Sequence, residues 1–129
     1  MPSPVISLLP GQIGLAFGTW SNPDQTGTIS GQAAPTTLTQ GSVFAAAASR
    51  RQTGARQLTW ETRVTGSPTS ATVNILGSMD GVVWDQLASS NSTSGATGVV
   101  ANADYRFYSA SAQVTGGTSP TLAVLLKID

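Results

Sequence analysis

Two stretches decide the fold class: Ser78-Met79-Asp80-Gly81 running into Val82-Val83-Trp84, and Gly116-Gly117-Thr118-Ser119-Pro120 running into Thr121-Leu122-Ala123-Val124-Leu125-Leu126-Lys127-Ile128. Asp-Gly and Gly-Gly supply the positive φ that tight turns between strands require, and apolar, β-forming residues flank each turn. The segment from Leu58 to Ile128 therefore reads as two consecutive β-hairpins. Within residues 57–65, Leu58, Trp60 and Val64 share one face while Thr59, Glu61 and Arg63 share the other. That period of two means one packed face and one wet face. Val73 and Ile75 are inward on the next strand, and Trp84 to Leu87 returns from the Asp80-Gly81 turn. Residues 105–114 are expected to pair with residues 122–128, whose Leu122, Val124, Leu126 and Ile128 face the core. Gly66-Ser67-Pro68-Thr69 reads as a turn, and Ser89 to Gly98 as an exposed polar loop.

Residues 1–56 have a different texture, rich in Pro, Gly, Thr and Ala. Strand candidates lie at 5–9, 13–20, 26–30 and 42–47, with a turn at Pro23-Asp24-Gln25-Thr26-Gly27. The alanines at 45–48 follow Val43-Phe44 and are too few to nucleate a helix, so a strand is expected there. About eight strands at short intervals predict an all-β chain, an antiparallel β-sandwich or jelly roll. The 129 residues form one domain, with residues 1–12 as an extended N-terminal arm stiffened by Pro2, Pro4 and Pro10.

Composition excludes much chemistry. Cysteine and histidine are both absent, which removes disulfides, thiolate metal sites and the commonest general base and metal ligand. Five arginines and one lysine balance six acidic residues, so there is no field to draw in nucleic acid or an anionic membrane. Charged residues are 9% of the chain, and solubility rests on Ser, Thr, Gln, Asn and Gly instead. Hydroxyls and amides desolvate far more cheaply than ions, which suits large contacts with other proteins. The proline-broken N-terminus lacks the basic start of a signal peptide, and a cysteine-free chain without a leader fits cytosolic synthesis.

The remaining candidates for catalysis or metal binding are few. Glu61, Asp80, Asp85 and Asp104 are the carboxylates available for a paired acid–base site or a calcium site. Glu61 falls on a wet strand face, Asp80 is explained by its turn, and Asp85 alternates with Trp84. Serine has no base beyond Lys127, and no glycine-rich loop has phosphate-binding spacing. The chain is read as a non-enzyme without cofactor or metal. Among the aromatics, Trp60 is in register with the core and Trp84 caps the sandwich. Trp20, beside Ser21-Asn22-Pro23, is the best candidate for an exposed ring. Arg106 and Tyr108 share a strand face and could form a polar aromatic surface. Arg50, Arg51 and Arg56 are the one concentration of charge: a solvated loop, or a docking loop for carboxylates on a partner.

The run Val73-Asn74-Ile75-Leu76-Gly77-Ser78-Met79-Asp80-Gly81-Val82-Val83-Trp84 is followed by Tyr105-Arg106 entering a strand. Val114-Thr115-Gly116-Gly117-Thr118-Ser119-Pro120-Thr121-Leu122-Ala123-Val124 then completes the order. This order resembles small β-sandwich structural proteins of tailed-phage virions, of the capsid decoration or cement type, over residues 57–129. The resemblance implies a module on the capsid exterior, made in the host cytoplasm, that bridges neighbouring major capsid protein subunits. It equally admits a tail, neck or baseplate component. In the capsid reading, Pro4, Val5, Ile6 and Leu8 of the arm, the loop bearing Arg50, Arg51 and Arg56, and Trp20 make the contact. Self-association as a dimer or trimer would cover sheet edges. A reading from another class is a carbohydrate- or host-surface-binding module, with Trp20 or Tyr108 exposed in a groove.

Overall fold

A computed structural model describes residues 5–8, 13–20, 29–30, 35–46, 57–101 and 105–128. These form twelve strands: β1 (Val5–Leu8), β2 (Ile13–Phe17), β3 (Thr19–Trp20), β4 (Ile29–Ser30), β5 (Thr39–Gln40) and β6 (Val43–Ala46), then β7 (Gln57–Thr65), β8 (Ser70–Ser78), β9 (Asp85–Ser90), β10 (Ala96–Ala101), β11 (Phe107–Thr115) and β12 (Thr121–Ile128). The six-stranded sheet has the order β1-β6-β11-β8-β9, with β5 also pairing β11. The four-stranded sheet has the order β10-β7-β12-β2, and β3 pairs β4 separately. The all-β sandwich expected from the sequence is the observed architecture, and residues 43–46 are strand rather than helix. Pairing is antiparallel except between β1 and β6, which run parallel with Val5 opposite Val43. Thus Val5–Leu8, within the expected arm, lies along the outermost position of the larger sheet.

The expected pairing of the last two strands does not occur. β11 pairs β8 over nine residues, whereas β12 pairs β7 over eight, so the chain changes sheets at residues 116–120. It also changes sheets at residues 66–69, between β7 and β8. The two crossings interlock at one end of the sandwich. Thr118 N–H donates to Gly66 O (2.9 Å), and Thr69 N–H donates to Thr115 O (2.8 Å). Gly116 and Gly117 have φ of 77° and 80°, and Ser119 has φ of 47°. Three left-handed residues within the connection carry the chain over the end of the core rather than straight back along β11. At Gly117 a Cβ would lie 2.8 Å from Pro68 Cα, so the crossings can touch only without a side chain there.

The core forms where the inward faces meet. Leu58, Trp60 and Val64 on β7, and Leu122, Val124, Leu126 and Ile128 on β12, are buried as their alternation predicts. From the larger sheet come Val73 and Ile75 on β8, and Tyr108, Ala110, Ala112 and Val114 on β11. β11 and β12 are buried on nearly both faces, as befits central strands. Tyr108 is fully buried, which corrects the expected Arg106–Tyr108 surface: only Arg106 is exposed. Burial of this phenol is tolerable because its oxygen accepts the Tyr105 N–H at 2.9 Å.

A second correction concerns residues 89–98. The polar loop shrinks to residues 91–95, between β9 and a strand the sequence reading missed, β10. Ser92 organises it, its Oγ accepting from Gly95 N–H (3.0 Å) and donating to Gly95 O (2.8 Å). Gly98 on β10 lies opposite Trp60, and a Cβ there would sit 2.5 Å from Trp60 Cζ2. The indole occupies the space of the missing side chain. Gly98→Ala should therefore destabilise the fold by about 1–3 kcal/mol through overpacking, measured as a lower urea midpoint with unchanged slope.

Candidate protein-docking site

The β8–β9 hairpin is built by two side chains. Ser78, itself buried, accepts Gly81 N–H (2.8 Å) and Asp80 N–H (3.3 Å) on Oγ and donates to Asp80 Oδ1 (3.1 Å). Asp80 Oδ1 in turn accepts Val82 N–H (2.8 Å) and Val83 N–H (3.0 Å). Gly81 takes φ of 80°. The turn is thus fixed from within, by short polar residues that bond to nearby backbone. Its apolar side chains are left outside: Met79 is 61% exposed, Val82 78% and Val83 67%. Among the described residues only Leu38 and Val99 are other large hydrophobics so exposed, so this turn is where exposed apolar surface concentrates.

Aromatic residues form the base of the projection. Phe107 is half-buried beneath Gly81, and the Arg106 guanidinium lies 5.7 Å from the Phe107 ring centroid. Tyr105 packs edge-on to Tyr108 at 6.2 Å, and its hydroxyl reaches Asp85 Oδ2 at 3.4 Å. Trp84 is half-buried where the turn meets β9. A rigid apolar knob, flanked by Arg106 and by the carboxylates of Asp80 and Asp85, can enter a recess on another protein without losing conformational freedom of its own.

The other candidates are dispersed. Pro4, Arg50, Arg51, Arg56 and Asp104 lie outside the described residues. Val5, Ile6 and Leu8 fall in β1, and Trp20 is opposite Ile29 in the β3–β4 pair. Glu61 pairs with Arg63 at 2.8 Å on the outer face of the smaller sheet. A shallow recess of about 150 Å³ lies on that face, lined by Ile13, Thr59, Glu61, Leu125 and Lys127 among others. Among the described residues no three Asp or Glu side chains gather as a metal site would require. The sequence reading used Val82-Val83 only as the entry to a strand. The signal it passed over is an apolar pair directly behind an Asp-Gly turn, before any alternation begins.

No family model and no curated protein sequence matches the chain. Solved structures with a similar outline include the SPBc2 prophage-derived protein YomS, at 15% identity and TM-score 0.47, covering 76% of this chain and 88% of that one. A Bacillus endospore appendage protein, from a family of disulfide-linked pili, is 15% identical at TM-score 0.38, covering 75% and 90%. PliG of Aeromonas hydrophila, a periplasmic inhibitor of g-type lysozyme, is 10% identical at TM-score 0.37, covering 99% and 100%. At these identities no role passes from them to this chain.

The Asp80 carboxyl is held below its ordinary pKa, first by the Val83 N–H, then by the Val82 N–H, with Ser78 adding to both. A carboxylate depressed in the folded state stabilises the fold at pH values above its unfolded titration, about pH 3.9 for a free Asp. That contribution is lost as the pH falls through the lower, folded-state value. Asp80→Ala should accordingly lower Tm near neutral pH, and the difference from the wild type should shrink on acidification through this range. Thermal unfolding followed from pH 6 to about pH 2 checks it.

Proposed function

We propose that this chain is a structural, non-catalytic virion protein of a tailed phage, of the decoration or cement type, that docks on neighbouring major capsid protein subunits at the capsid exterior. The observation that carries this reading is the apolar turn locked by Ser78 and Asp80, with Met79, Val82 and Val83 turned outward. Side chains so exposed are costly to solubility unless a partner covers them. The same turn lies inside the sequence run that resembles phage decoration proteins. A neutral surface poor in charge suits a permanent contact, because few ions need desolvating. Arg106, beside Phe107 at the base of the turn, would add a carboxylate-directed contact.

The test is co-sedimentation with decoration-stripped heads of the phage that encodes the chain. Wild-type protein should bind saturably at a fixed ratio to the major capsid protein. The triple variant Met79→Gln, Val82→Thr, Val83→Thr should stay folded, since no backbone donor to Asp80 is removed, yet bind at least about ten-fold more weakly. Such a loss needs only ~1.4 kcal/mol, less than the burial of one aliphatic side chain. Binding to tails but not heads would overturn the capsid reading in favour of a tail or baseplate role.

A further inference from the structure

The two long seams of the sandwich are unlike. On the β2 side the sheets are stitched together: Ser42 N–H donates to Ala16 O at 3.2 Å, and Phe44 reaches across to Gly14. On the β9/β10 side the core is left incompletely covered. The apolar residues packed on the core but only partly buried are Leu87 and Ala88 of β9, Ala96 and Val100 of β10, and nearby Tyr105.

β10 ends the smaller sheet, and among the described residues only β7 pairs with it. Ala96 N–H points toward β7, where it donates to Thr62 Oγ1 at 3.0 Å. Alternation along an extended strand then turns the N–H and C=O of Thr97, Val99 and Ala101 to the open side. The side chains of these residues are exposed too, Val99 by 55%. Free edges are ordinarily blunted by a charge, a proline or a bulge. β10 carries none of these, and its register with β7 is unbroken over six residues. By contrast the β2–β12 and β8–β9 pairings both contain a register shift, and β9 begins at Asp85.

The geometry points to β10 as a strand-pairing edge whose occupant is β10 of a second copy, antiparallel about a two-fold axis at Val99. With Val99 opposite its own equivalent, Thr97 falls opposite Ala101 and Ala101 opposite Thr97. Three hydrogen-bonded pairs then form, at two bonds each, from groups already aimed outward. No ionisable residue lies within β10, so two copies meet without like-charge repulsion, and Val99 packs on Val99. The two four-stranded sheets become one of eight, and the new pairing adds cover over the partly buried residues of both copies' seams. An isologous contact of this kind closes at two subunits.

Purified full-length protein in light scattering across a concentration series tests this without any phage particle, so its result is separate from the capsid reading. The wild type should reach twice its 13.1 kDa chain mass. Val99→Pro removes an N–H only on the open side and spares the ladder to β7, and Val99→Lys places like charges face to face. Both variants should halve the mass while keeping the wild-type circular dichroism and cooperative unfolding. A wild type monomeric at its highest soluble concentration would overturn the proposal, as would an oligomer that survives either substitution.

Discussion

The interlock between residues 66–69 and 116–120 sets the rest of the molecule. Because Thr118 bonds to Gly66 and Thr69 to Thr115, two strand pairs cross between sheets at the same end. β8 and β11 are thereby neighbours in one sheet while β7 and β12 are neighbours in the other. Four long strands from the second half supply most of the buried apolar surface, two per layer. The opposite end of β8 is then free to carry a hairpin well away from the crossings. The stable end holds the layers together, and the projecting end is spared for contact.

Local patterns were legible in the sequence wherever one strand's own alternation decided burial. Leu58, Trp60 and Val64, and the inward set of β12, follow directly from period two, and the Asp80-Gly81 turn from its chemistry. Sheet membership was not legible at residues 116–120, because a turn sequence encodes backbone angles but not which strand will lie alongside. β10 escaped notice because it follows a run of Ser, Asn and Gly and contains Gly98, a poor strand former. That glycine is required by the Trp60 ring, which belongs to a strand more than thirty residues earlier in the chain. Tyr108 was misread because alternation was counted from Arg106, which precedes β11; within the strand Tyr108 faces the core, its oxygen bonded to the backbone of Tyr105.

The candidate site shows the same division. Asp80 and Ser78 could be assigned to a turn from residue type, but the exposure of Val82 and Val83 depends on where β9 starts, which the register with β8 determines. Polar residues here perform structural work inside the turn, and apolar ones face outward, an inversion of the usual surface. The chain as a whole is poor in charge, 9% of its residues, so most of its exterior can be desolvated without stripping water from ions.

The pairing of β2 with β12 has a consequence in time. Ile13 lies opposite Lys127, so the first long strand of the smaller sheet finds its neighbour only more than a hundred residues later. Synthesis at roughly 5–20 residues per second keeps β2 waiting for several seconds. β7 waits likewise for β12, its partner on that side. The smaller sheet therefore closes only once residues 121–128 have been made, and its folding rate is set by the slow capture of distant segments. The first half is rich in proline and glycine, residues that disfavour the β-prone segments that seed aggregation.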